Sequence, residues 1–249
     1  MFDFSSLDYL LALCMALGAT LYTSVGHGGA SVYIALMALF GLAPGVIRPT
    51  ALVLNILVTS FSSYRYFHAG LFRWRTLWPV LIGAIPMAFV GGSIQLPGHF
   101  YKALVGVVLL IAAARLVMPK ELHSTLNPKD IPVGWGVACG IAIGFLAGLT
   151  GTGGGIFLSP LLLFMGWSET RTASGVTSVF ILCNSLAGLL GNYASVKSLP
   201  PQVLLFALAV MIGAVIGTRL GISTFAKRGI MQALGLVLLI AGVKLIGVY

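Results

Sequence analysis

Gly26-His27-Gly28-Gly29 interrupts an apolar run near the start of the chain, and Gly151-Thr152-Gly153-Gly154 interrupts another 125 residues later. The correspondence continues at that spacing without a gap: Gly41 falls on Gly166, and Thr59-Ser60 falls on Asn184-Ser185. Glycine in a helix interior costs roughly 0.5–1 kcal/mol per residue relative to alanine. A chain that carries two such clusters at matching places has a use for broken backbone. The pattern reads as two breaks in membrane helices, facing one another at a central site.

Composition places those breaks in a bilayer. The 249 residues are 59% hydrophobic and 8% charged, where a soluble domain carries about 25% charged residues; the mean hydropathy is +1.05. Apolar runs long enough to span hydrocarbon recur along the whole length, and no stretch is polar enough for a separate soluble domain. The formal net charge of +9 would raise nucleic acid as a partner for a soluble protein. Here the cations lie between apolar runs, as in cytoplasmic loops, so the expected partners are the lipid bilayer and a small anion, with no nucleic acid; a second copy of the chain is a candidate partner. Cys14, Cys139 and Cys183 lie singly inside apolar segments without CxxC spacing, which argues for packing rather than metal or disulfide chemistry. No HExxH, GxSxG or Walker arrangement occurs. The chain reads as a non-enzyme without cofactor or metal.

The apolar runs predict ten helical segments. In the first half they cover 8–25, 30–43, 47–67, 76–95 (with Pro86 as a kink) and 100–118; in the second, 131–149, 156–166, 170–191, 202–221 and 229–248. The N-terminus carries Asp3 and Asp8 and no cation, unlike a cleaved signal peptide, so the first segment reads as a retained helix. The fold expectation is therefore all-α: one polytopic membrane domain over 1–249, with repeats at about 8–118 and 131–249 joined by the polar linker 119–130. An odd number of segments per half inverts the second half, provided that the short segments 30–43 and 156–166 cross rather than re-enter. Loop charges favour crossing. If every segment crosses, Arg65, Arg73, Arg75, Arg115, Lys120, Lys129, Arg171, Arg219, Lys227 and Arg228 share one side, against Arg48, Lys102, Lys197 and Lys244 on the other. The positive-inside rule then puts the linker in the cytoplasm and both termini outside.

Each break is followed by a helix N-terminus, whose free N–H groups and partial positive charge favour anions. Glycines let the backbone approach a ligand. Close helix packing is the alternative; it suits Gly140, Gly144 and Gly148 but suits the run Gly151–Gly155 poorly, because consecutive glycines unwind a helix. The candidate binding residues are Gly26, His27, Gly28, Gly29, Gly151, Thr152, Gly153 and Gly154 at the breaks, and Thr59, Ser60, Asn184 and Ser185 in the middle of the third and eighth segments. Asn55 has Phe180 at its repeat position and is only supporting. His27 can bind an anion, carry a proton or hydrogen-bond backbone. Arg48 and Arg171 precede the helices with the polar pairs; a guanidinium there suits a sulfonate or phosphate, or anchors a helix end at the interface. The five acids, Asp3, Asp8, Glu121, Asp130 and Glu169, all lie at ends or loops, which disfavours a cation carrier.

At Gly26-His27-Gly28-Gly29-Ala30, Gly151-Thr152-Gly153-Gly154-Gly155 and Asn184-Ser185-Leu186-Ala187-Gly188 the chain resembles the sulfite exporter TauE/SafE family, also called the 4-toluene sulfonate uptake permease family. The second copy is close to the family pattern; the first departs from it at His27 and Ala30, and Pro49 stands where helix formers are expected. The resemblance implies a bacterial inner-membrane transporter of small sulfur-containing anions (sulfite, thiosulfate or an organosulfonate), working as an exporter by alternating access. An anion channel, or a carrier of another small oxyanion or carboxylate, is the alternative. Composition and spacing alone reach an anion-binding transporter with an internal repeat.

Overall fold

The computed structural model describes residues 4–117, 128–223 and 228–247. Most of the expected linker (119–127) lies outside the described residues. Among the described residues, ten α-helices follow in chain order: α1 Ser6–Thr23, α2 Ala30–Leu39, α3 Pro44–His68, α4 Trp74–Ser93, α5 Gly98–Val117, α6 Val133–Thr150, α7 Gly155–Phe164, α8 Thr170–Gly191, α9 Val203–Ser223 and α10 Arg228–Gly247. A 3-10 turn, Tyr193–Ser198, follows α8. Six of the helices (α1, α3, α4, α6, α8 and α9) are long and apolar enough to cross a membrane, and the chain is a polytopic membrane protein.

Local sequence sets the helix ends. Ser5 and Asp8 form a reciprocal capping box at the start of α1. Pro44 opens α3, where its missing N–H loses nothing. Pro49 then falls inside α3, and α4 runs on through Pro79 and Pro86. The 10-residue helices α2 and α7 are about 15 Å long at 1.5 Å per residue, half of a ~30 Å hydrocarbon layer. Both are closed by a left-handed glycine, Gly41 at φ +82° and Gly166 at φ +67°, one repeat apart.

Glycine contacts fix how the helices pair. Gly136, Gly140, Gly144 and Gly148 of α6 lie against Pro79, Val80, Ala84 and Ala88 of α4 in rising order, so these helices run parallel. Likewise Gly213, Gly217 and Gly221 of α9 meet the carbonyls of Ala16, Thr20 and Ser24 of α1. The repeat exchanges α1 with α6 and α4 with α9, so the two parallel pairs are equivalent. Helices α3 and α8, which exchange with each other, pack antiparallel: Leu52 lies by Gly188, Asn55 by Ser185 and Tyr66 by Gly175. Helix α5 likewise packs antiparallel on its counterpart α10, through Gly106 against Gly242 and Ile246, and Leu110 against Gly242. Counterparts meet antiparallel only about a two-fold axis perpendicular to the helices, which is the geometry of an inverted repeat.

Charges sort with this arrangement. At one end of the bundle Arg73 and Arg75 pair with Asp130 at 3.2 and 3.7 Å, the Lys129 N–H donates to the Gly166 carbonyl, and Arg171 donates to the Ile222 carbonyl at 3.1 Å. At the other end lie Lys102 and Lys244, lining one pocket. The apolar core has two parts. One is built on α1, α2, α3, α5, α9 and α10 with Ile156 of α7, the other on α4, α6, α7 and α8.

Candidate functional site

The two breaks come together at the middle of the α3–α8 pair. The first spans the residues between α1 and α2, with Gly26 at φ +75° and Gly29 at φ +95°; the second lies between α6 and α7, with Gly151, Gly153 and Gly154 at φ +81°, +73° and +79°. Gly29 and Gly154 are the N-caps of α2 and α7, and neither first turn receives a cap bond from its N-cap side chain. A left-handed cap disfavours every side chain but glycine's. Space is equally short. A Cβ on Gly28 would strike Asn55 Oδ1, and one on Gly153 would reach Asn55 Nδ2 and Ser185 Oγ.

Breaking a helix in a membrane leaves carbonyl groups that water cannot serve. The bundle serves them with its own donors. Tyr66 Oη of α3 donates to the carbonyls of Thr23 and Ser24 at 2.8 and 3.2 Å, and Ser178 Oγ of α8 donates to Gly26 at 2.9 Å. Tyr33 Oη donates to Gly28 at 2.9 Å and Tyr101 Oη of α5 to Thr150 at 3.0 Å. The His27 ring joins the halves: Nδ1 lies 3.1 Å from the Val25 carbonyl oxygen and Nε2 3.1 Å from that of Gly155. A neutral imidazole has one N–H and serves one of these oxygens; the imidazolium serves both. His27 is half-buried, with Tyr22 edge-on to its ring.

Asn55 is the polar hub. Its Oδ1 accepts from the Ala30 N–H at 3.2 Å, the first N–H of α2, and its Nδ2 donates to Ser185 Oγ at 3.1 Å. The side chain therefore ties the first break to α8 and lies against the second. Thr59, one turn along α3, is buried, donates to its own helix at the Asn55 carbonyl, and puts its methyl against Gly28. Thr152 is buried with its hydroxyl 2.9 Å from that of Thr150.

Asn184 is different. It is 1% exposed, and neither Nδ2 nor Oδ1 has a hydrogen-bond partner. Its neighbours on one stripe of α8 locate it. Ile181 and Ser185 pack on Gly153, and Gly188 packs on Gly148 at the end of α6. Thr177, on the same stripe, also has a buried hydroxyl without a partner, and its methyl lies against Gly155. An unmet buried amide or hydroxyl costs about 1–3 kcal/mol, and two of them lie on the stripe of α8 that packs on the second break.

Of the residues singled out in the sequence, the six break glycines, His27, Thr59, Thr152, Asn184 and Ser185 are gathered here. Ser60 and Arg171 are not. Ser60 is exposed, because one helical step from the buried Thr59 turns it out of the bundle. Arg171 is exposed at the start of α8. Arg48 is inside but occupied. It is 4% exposed and donates to Ile94 at 2.9 Å, Gly91 at 2.8 Å, and Gly92 and Gly148 at 2.7 Å. Those carbonyls belong to the ends of α4 and α6, so Arg48 closes two helix C-termini. The structure adds Asn55, which bonds Ala30 N–H and Ser185, and Tyr33, Tyr66 and Tyr101, which donate to carbonyls at the breaks. The available signal was a polar or hydroxylated side chain inside an apolar helix, regardless of what stands one repeat away.

The sulfite exporter TauE/SafE family model matches residues 10–245. The chain belongs to this family. It is 36% identical over 239 residues, covering 95% of this chain and 97% of the relative, to a probable membrane transporter protein, y4hK, of Sinorhizobium fredii. It is 25% identical over 238 residues to the probable membrane transporter protein YjnA of Bacillus subtilis, covering 89% of this chain and 92% of that one. The probable membrane transporter protein MamO of Paramagnetospirillum magneticum matches at 25% identity over 216 residues, 72% of this chain but 34% of its own length. No solved structure matches the chain. The TauE/SafE chain is thus a membrane transporter and not an enzyme.

Proposed function

We propose that the protein exports a small sulfur oxyanion (sulfite, thiosulfate or an organosulfonate) across the bacterial inner membrane, binding it where the two breaks meet. The observation that carries this reading is Asn184: a buried amide with neither end partnered, two turns along α8 from the unmet Thr177 hydroxyl, which lies against Gly155 at the start of α7. An oxyanion accepts from all three: amide, hydroxyl and helix N-terminus. Carbonyl groups at the breaks are already engaged by the tyrosines, Ser178 and His27, so N–H and hydroxyl donors face the ligand. In this reading Gly26, Gly28, Gly29, Gly151, Gly153 and Gly154 shape the cradle, Asn55 and Ser185 hold the halves in register, and rocking of one half against the other alternates access. The end of the bundle bearing Arg73, Arg75 and Lys129 is cytoplasmic by the positive-inside rule, which puts both termini in the periplasm.

Proteoliposomes loaded with labelled sulfite test this. Expected are saturable efflux, acceleration by unlabelled sulfite on the opposite side, and loss of flux of at least about tenfold in Asn184→Leu, the equivalent of 1.4 kcal/mol. Flux that rises linearly with concentration and shows no counterflow contradicts a carrier.

A further inference from the structure

At the bundle end opposite Arg73 and Arg75, a cavity of about 240 Å³ lies between the first turns of α3 and α5 and the chain after α8. Arg48, Gln95, Gly98, Tyr101, Asn192 and Ser195 line it. One ordered water needs only about 10–15 Å³, so a small anion fits with water around it.

Three features give this space its character. The first is charge. Arg48 is buried and lines the cavity, its Nε has no partner, and among the described residues it forms no ion pair with a carboxylate. Among the acids in described residues, Asp8 is bonded to Ser5 at the start of α1, Asp130 is held by Arg73 and Arg75 at the other end, and Glu169 precedes α8. The second is donor geometry. Gly98 begins α5 and Pro44 begins α3, so the positive ends of two long helices border the space. Gln95 Nε2 and Ser195 Oγ both donate to Asn192 Oδ1, at 2.7 and 2.8 Å, which orients the amide groups at the rim. The third is position. Arg48 donates to Gly148 and Tyr101 to Thr150, and a Cβ on Gly151 would lie 3.1 Å from Arg48 Cγ. The inner wall of the cavity is therefore the rim of the second break.

The repeat makes the cavity one-sided. Adding 125 to Arg48 gives Ala173; subtracting it from Asn192 and Ser195 gives Phe67 and Gly70. Arg48, Asn192 and Ser195 thus have no polar counterpart at the matching positions of the opposite mouth.

We propose that this cavity is a second, peripheral oxyanion subsite, a vestibule on the face away from the cytoplasmic cation cluster. It takes the same class of ligand, a small sulfur oxyanion, as that ligand passes to or from the second break. The inference rests on the transport reading above. It assigns Arg48 to the vestibule and not to the central cradle, and it builds a functional difference between the two mouths into a pseudo-symmetric fold.

Gln95 is exposed. In sided vesicles, sulfite half-saturation is measured from each face for wild type, Gln95→Glu and Gln95→Lys, with Ser195→Asp as a second anionic variant. Expected is a rise of about three- to tenfold for both acidic variants and a fall of similar size for Gln95→Lys, on the vestibule face alone; a unit charge at 4 Å in water-like surroundings has an effect of this size. Half-saturation within twofold of wild type in all variants, or shifts of one sign for both charges, overturns the vestibule. Wild type without saturable sulfite flux overturns the transport reading instead.

Discussion

At the scale of single residues, the protein separates groups that hold backbone together from groups left unmet. Arg48 is the strongest holder. Its guanidinium reaches four carbonyls that two helix ends would otherwise leave bare, each worth about 1–3 kcal/mol if unmet. Arg48→Met is expected to lower stability by at least about 3 kcal/mol, read as a large drop in unfolding temperature in detergent. Arg48→Lys, with three donors and no fork, is expected to fall between the two. Asn184 gives the opposite result. Because its amide has no partner, Asn184→Leu removes an unmet polar group and is expected to leave stability unchanged or raise it by about 1 kcal/mol, while abolishing transport. Stability and activity thus move apart at Asn184 and together at Arg48. The sequence already distinguished Asn184 and Ser185, because both the repeat and the apolar surroundings mark them. It hid Asn55, since Phe180 occupies the matching place: this amide bonds the start of α2 and Ser185 of α8, a tie that one half alone supplies. Arg48 was visible as a charge in the chain, but its partners are carbonyls 43 to 100 residues away, and no local pattern encodes them.

At the scale of elements, glycines do two separate jobs. Those of α6 thin the helix so that α4 can approach backbone to backbone. Those of the breaks turn the chain through left-handed conformations. The two kinds respond differently to substitution. A Cβ at Gly144 meets the Ala84 backbone, whereas one at Gly134 meets nothing within 4 Å. Gly144→Val is expected to cost about 1–3 kcal/mol through overpacking, with Gly134→Ala neutral, both by thermal unfolding. Gly29→Ala is expected to cost roughly 1–2 kcal/mol for the left-handed backbone alone, and to impair transport because α2 begins there. Periodicity and apolar length made all ten helices legible within a few residues. The short helices α2 and α7 were legible because glycine punctuates both ends. The 3-10 turn after α8 carried no such signal, being a short mixed stretch with neither helical nor strand period.

At the scale of the whole molecule, antiparallel α3–α8 and α5–α10 pairs and equivalent parallel α1–α9 and α4–α6 pairs define an inverted repeat. The sequence reached this arrangement by counting segments and loop cations, and the packing reaches it independently through helix direction. A membrane-crossing α4 places the loop after α3 and the loop after α4 on opposite faces. Single cysteines at Gly70 and Gln95, in a chain lacking Cys14, Cys139 and Cys183, are expected to react with an impermeant thiol reagent from the cytoplasmic and periplasmic sides respectively. Reaction of both from one side contradicts the topology.

The claim on which the rest depends is that the two breaks form one oxyanion site. Calorimetric titration of sulfite into purified wild type and Asn184→Leu tests it most directly. The account predicts saturable binding to wild type, competed by thiosulfate, and its loss in a variant that unfolds no earlier. Equal binding by both proteins, or none by a folded and monodisperse wild type, contradicts it.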